Sequence, residues 1–108
     1  MIRVTVLKDQ NSYREFSCIG HAGYADSGQD IVCSAVSMLV INTINSIATF
    51  TKDAIDVTSD EEEGKIICKL PDTYSEQTEL LIASMLLGLS EVSNQYGTDF
   101  ITMTIKEV

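Results

Sequence analysis

The chain has 108 residues, 44% of them apolar, which suits one globular domain with a single core, near the size at which a second chain helps to cover apolar surface. Its 16 acidic residues against 7 basic ones leave a formal charge of −9 and argue against a nucleic acid held through its phosphates, a mode that needs clustered Lys and Arg. A basic or neutral peptide fits this balance, which is also common among proteins with no charged partner.

The chain opens with "MIRVTVLKDQ", where Ile2, Val4 and Val6 alternate with Arg3 and Thr5 at the period of a half-buried strand. A second strand over residues 13–19 follows the turn "KDQNS" and completes a hairpin. The apolar run from Ile31 to about Phe50 is interrupted by Ser34, Ser37, Asn42, Thr43, Asn45 and Ser46, so it reads as a buried helix and not as a membrane span. That helix is apolar around most of its circumference and is expected to be covered from more than one direction, self-association being the simplest cover.

Residues 54–59 and 65–70 form a second hairpin around the acidic turn "DEEEG", a solvated tip. Thr73 with Glu76 has capping-box spacing and opens a helix that carries Leu80, Leu81, Met85, Leu89 and Val92, with Gly97 just past its end. The closing strand "FITMTIKEV" sets Ile101, Met103 and Ile105 on one face. The expected fold is α+β, in two layers: a mainly antiparallel sheet covered on one side by two helices, in the order β-β-α-β-β-α-β, as one domain over residues 1–108.

Chemistry concentrates in "GHAGYADSGQDIVCSAVS", residues 20–37, which holds the only histidine, His21, and one of three cysteines, Cys33. Asp30 is placed as an N-cap, which makes Ile31 the first helical residue and puts Cys33 in the first turn. Helix starts and neighbouring imidazolium groups favour the thiolate, the form of cysteine that attacks carbonyl carbon. The loop from His21 to Cys33 is short enough to fold back and bring the imidazole beside the sulfur. Gly20, Gly23 and Gly28 suit either a loop that rearranges around a substrate or an ordinary tight turn.

Ser37, four residues after Cys33, shares its helical face and either donates to a developing oxyanion or bonds the carbonyl four residues back. Asp30 has a similar choice between capping the helix, orienting His21, or both. A zinc site from His21, Cys18, Cys33 and Cys68 lacks paired ligand spacing, so no metal or other cofactor is implied, and Cys18 and Cys68 are placed on strands as core residues. On the residues alone, a core cysteine near a turn histidine remains open beside a catalytic pair. An odd cysteine count, no C-x-x-C pair and no leader-like N-terminus place the chain in the cytoplasm with its thiols free.

"GHA" followed by "GQDIVCSAVS" closely resembles the signature of the ribosomal-processing cysteine proteases, the Prp family, and the likeness extends along the chain through its length, element order and the "NTINSI" continuation of the first helix. The resemblance implies a bacterial cytoplasmic endopeptidase that removes an N-terminal extension from a large-subunit ribosomal protein through a thioester acyl-enzyme. It assigns the nucleophile to Cys33 and the base to His21, gives supporting roles to Asp30 and Ser37 and a loop-hinge role to Gly20, and implies a homodimer, while the charge and the interrupted apolar run lead to the expectation of no nucleic-acid or membrane partner. Ser34 replaces a small apolar residue common in the family, and the loop carries "YADSGQ", whose tyrosine and acidic residue bear on substrate choice. Two other readings stand beside it: a non-catalytic module that binds the ribosomal protein or the ribosome, and a thiol hydrolase of small esters.

Overall fold

The computed structural model describes residues 1–20 and 30–108, with elements β1 (Ile2–Asp9), β2 (Ser12–Ile19), α1 (Ile31–Phe50), β3 (Asp56–Asp60), β4 (Lys65–Lys69), α2 (Glu76–Tyr96) and β5 (Ile101–Glu107). Order and type agree with the sequence expectation. The strands form one sheet in the order β3-β4-β2-β1-β5, with every neighbouring pair antiparallel except β1 and β5. The parallel pair makes the sheet mixed.

Direction along each strand explains why both helices lie on one face. β2 and β3 point the same way, as do β4 and β5, so α1 and α2 are each a crossover between parallel strands. The two crossovers run in opposite directions across the sheet from strands of opposite sense, and right-handed connections then place both on the same side. Ile2, Val4, Val6, Phe16, Cys18, Cys68 and Ile101 face them from the sheet, and one core cluster joins these to buried residues of both helices.

Helix α1 is long and apolar enough to cross a membrane, with a mean hydropathy of 1.8 in its most apolar window. Its buried residues Val32, Val36, Val40, Thr43 and Ile47 nevertheless recur at helical spacing in a single stripe packed into the core, as in a core helix. Gly88 lets α2 approach it closely, because a Cβ there would come within 2.9 Å of the Leu39 Cδ2 methyl. On α2 the buried line is Thr78, Ile82, Met85 and Leu89, so Leu80, placed on the apolar face from the sequence, points outward at 70% exposure. Ile105 is likewise exposed, although it pairs with the buried Val6, because β5 is an edge strand of the sheet.

The start of α2 differs from the expected capping box. Ser75, not Thr73, is the N-cap: its Oγ accepts the Thr78 N–H at 3.3 Å, while its hydroxyl donates to Asp53 Oδ2 at 2.6 Å. Asp53 also accepts the Ser75 N–H at 3.0 and 3.1 Å on its two oxygens, and the Thr78 hydroxyl donates to it. A carboxylate just past the end of α1 thus closes the first turn of α2, and this long-range partner outweighs the local Thr73–Glu76 spacing. Nearby, the Tyr74 hydroxyl accepts the Tyr13 N–H at 2.8 Å and donates to Glu79 Oε2 at 2.5 Å, tying β2 to α2.

Substituting Ser75→Ala removes the cap and is expected to cost about 1 kcal/mol in chemical denaturation. The Ser75 and Thr78 hydroxyls hold the Asp53 carboxyl below the usual range, so its contribution is full above the ordinary carboxylate pKa and is lost as pH falls through the lowered value. The stability gap between wild type and Asp53→Asn should accordingly be widest above about pH 4 and narrow in acid. A gap of constant size across that range would assign the effect to something other than the charge.

Candidate active site

Asp30 fixes where α1 begins. Its backbone is extended, at φ −78° and ψ 99°, and its Oδ1 accepts the Cys33 N–H at 2.9 Å while its carbonyl accepts the Ser34 N–H at 3.0 Å. The cap expected from the sequence is therefore in place, with Asp30 only 7% exposed. Because the Cys33 N–H is committed to Asp30, oxyanion stabilisation at this helix start must draw on other donors.

Cys33 is partly exposed and lines a cavity of about 420 Å³. The topology creates this space. On the far side of α1 from α2, the sheet continues under β4 and β3 without a third helix, leaving a groove between α1 and the β3–β4 hairpin. Val36, Val40, Ile41 and Ile44 form the helical wall, Ile2, Cys18 and Ile66 the floor, and Val57 and Ser59 the far wall. Asp60, Glu61 and Lys65 lie at its rim, so the acidic turn expected to be a solvated tip also borders the groove. Such a trough accommodates an extended peptide with apolar side chains.

Ser37 lines the same cavity one turn beyond Cys33. Among the described residues its hydroxyl makes no bond to the carbonyl four residues back, whereas Thr43 Oγ1 donates to the Leu39 carbonyl at 2.8 Å. The face shared with Cys33 that the sequence predicts for Ser37 is thus in place. Ser34, the departure from the family pattern, is exposed and does not border the cavity.

Gly20 ends the groove beside the last residue of β2. Its φ of +105° lies in the region that favours glycine, and a Cβ would collide with the Met1 carbonyl oxygen. Its N–H donates to the Gly64 carbonyl at 3.1 Å, joining the end of β2 to the β3–β4 turn. His21, Gly23, Gly28 and the "YADSGQ" segment lie outside the described residues.

The other two cysteines are buried as expected. Burial, and secondarily the Cys33 charge, push the Cys18 thiol up to about 11. Burial, then Asp56 and Glu15, push Cys68 to about 11 as well. Both stay protonated at neutral pH and are poor nucleophiles there. The groove lining by Val57, Ser59 and Ile66 was not foreseen; the alternation of Val57 and Ser59 was available as a signal, but nothing in β3 says which face looks inward.

The sequence model of the cysteine protease Prp family matches residues 1–101. Ribosomal processing cysteine protease Prp of Staphylococcus aureus is 27% identical over 98 residues, covering 90% of this chain and 92% of that protein. The Bacillus subtilis protein of the same name is 25% identical over 103 residues, covering 89% and 90%. Among solved structures, the S. aureus ribosomal processing protease Prp with a covalently linked product peptide superposes with a TM-score of 0.92 at 26% identity, covering 98% of this chain and 100% of that one. SMU.848 from Streptococcus mutans gives a TM-score of 0.84 at 27% identity, covering 100% and 96%. With that match spanning nearly its whole length, and a cysteine at the head of a capped helix beside a peptide-sized groove, the chain belongs to the Prp family of cysteine proteases.

Proposed function

We propose that this protease releases an N-terminal extension from a large-subunit ribosomal protein, using Cys33 as nucleophile and His21 as its base. The observation that carries the reading is the position of Cys33, on the capped first turn of α1 where it opens into an apolar groove. That the S. aureus relative is a ribosomal processing protease crystallised with a substrate peptide supports both the substrate class and a peptide ligand. It also favours a protease over a non-catalytic ribosome-binding module.

In this mechanism His21 takes the proton from the Cys33 thiol, and the thiolate attacks the scissile carbonyl carbon. The Ser37 hydroxyl donates to the oxyanion of the tetrahedral intermediate. Collapse expels the amine, which takes its proton from His21, and leaves a thioester on Cys33. Water then attacks the thioester with His21 as base, and the carboxylate product departs. Asp30 holds the Cys33 backbone in place through the cap and orients the imidazole, while Gly20 serves as the hinge of the segment that follows it.

The groove seats an apolar stretch of substrate, and the acidic rim at Asp60 and Glu61 favours a basic residue at its end. Exposed Ile31, Met38 and Phe50 on α1 and Leu80 and Leu87 on α2 support a homodimer as the working unit, in the bacterial cytoplasm.

Cys33→Ala should abolish cleavage of a peptide spanning the extension while leaving the unfolding transition in place, and any retained turnover would overturn the assignment. Ser37→Ala should lower kcat by about 10²–10³ with little change in KM. With iodoacetamide at neutral pH, Cys33 should label first, and Cys18 and Cys68 should gain rate only as pH climbs toward about 11. His21→Ala should change the pH profile of Cys33 labelling; an identical profile would remove His21 from the base role.

A further inference from the structure

Two thiols, not one, face the groove. Cys18 sits on β2 opposite Val4 of β1 and Ile66 of β4, and its side chain shares the helix-facing side of the sheet with Phe16. It borders the same cavity as Cys33, and Cys33 packs on the core cluster that contains Cys18. Cys68, two residues beyond Ile66 on β4, is fully buried and does not border the cavity. Two cysteines therefore border the groove, Cys33 partly exposed and Cys18 buried, and a third, Cys68, is buried outside it.

We propose that Cys33 and Cys18 form a peroxide-responsive modification site, in which oxidation of Cys33 is captured by Cys18 as a reversible disulfide that shuts the protease off. This rests on Cys33 being the reactive thiol. In the first step the Cys33 thiolate attacks one peroxide oxygen: an S–O bond forms, the O–O bond breaks, sulfur loses two electrons, and the peroxide leaves as hydroxide or alkoxide. In the second step Cys18 sulfur attacks the sulfenic sulfur: the S–S bond forms, the S–O bond breaks, and the departing hydroxide takes the Cys18 proton and leaves as water. With hydrogen peroxide the balance is two thiols and one peroxide giving one disulfide and two waters.

The order of events helps the second step. One of the two influences that keep Cys18 protonated is the charge on Cys33, and conversion to a neutral sulfenic acid removes it. The relief is the smaller part, because burial is the larger cause and is unchanged by the oxidation. Disulfide formation also spares Cys33 from further oxidation to the sulfinic acid, which thiol reductants do not reverse. Reduction by a dithiol restores both sulfurs and the groove.

The test treats the full chain with hydrogen peroxide, maps its disulfides by mass spectrometry without reduction, and follows peptide cleavage before and after dithiothreitol. Wild type should yield a Cys18–Cys33 linked peptide with Cys68 still free, losing cleavage in step with the link and regaining it on reduction. After prolonged peroxide, Cys18→Ala should regain at most about a tenth of its own untreated activity, with Cys33 found as sulfinic acid. Cys68→Ala should behave as wild type, and Cys18→Val provides a second variant if alanine leaves the fold too weak. Absence of the linked peptide, or recovery of both Cys18 variants as full as that of wild type, would overturn the proposal. Cleavage by untreated Cys33→Ala would instead remove Cys33 from the nucleophile role, a result separate from the disulfide map.

Discussion

The hydrogen bond from the Cys33 N–H to Asp30 Oδ1 is the contact on which the site depends. It starts α1 at one fixed residue, Ile31, and so sets which residues fall in its first turn. Successive residues of a helix step by roughly 100°, so the face each side chain takes follows from its place after the cap. With this phase, Val32, Val36, Val40 and Ile47 reach the core, while Cys33, Ser37 and Ile44 border the cavity. The residue that caps the helix is thus bonded to the cysteine that opens into the groove.

The groove is the other half of the arrangement, and it comes from topology. Both crossovers share a face, yet two helices do not cover five strands, and the uncovered part is the β3–β4 end. A fold of this size cannot spare much apolar surface. Here the exposed apolar sheet lies directly beside the helix start, so incomplete coverage becomes a place for an extended chain.

Strand and helix identities were legible because their signals are local: the alternation of Ile2, Val4 and Val6, the Asp30 cap, and the glycine at position 97. The cap of α2 was misplaced because Thr73 and Ser75 are equally plausible in sequence, and the deciding partner, Asp53, lies 22 residues before Ser75. The limits of β3 shifted from 54–59 to Asp56–Asp60 because that edge strand extends only where β4 offers partners, from Lys69 to Lys65. Strand order depends on pairings distant in sequence, such as Ile2 with Ile101, that no local pattern encodes. That Cys33 and Ser37 border one groove could be read because a helix face is periodic, and the Asp30 cap because it directly precedes the apolar run, whereas the sides contributed by β3 and β4 could not.

Keeping both helices on one side leaves the reverse of the sheet bare, a surface of Arg3, Thr5, Glu15, Ser17, Lys69 and Thr104 turned away from the groove. Among the described residues, no cap, core contact or groove wall is drawn from these positions. These positions lie on the face opposite the groove, so substitutions there are the least coupled to it. The same bare side is where a fluorophore or a surface tether could be attached to a working enzyme.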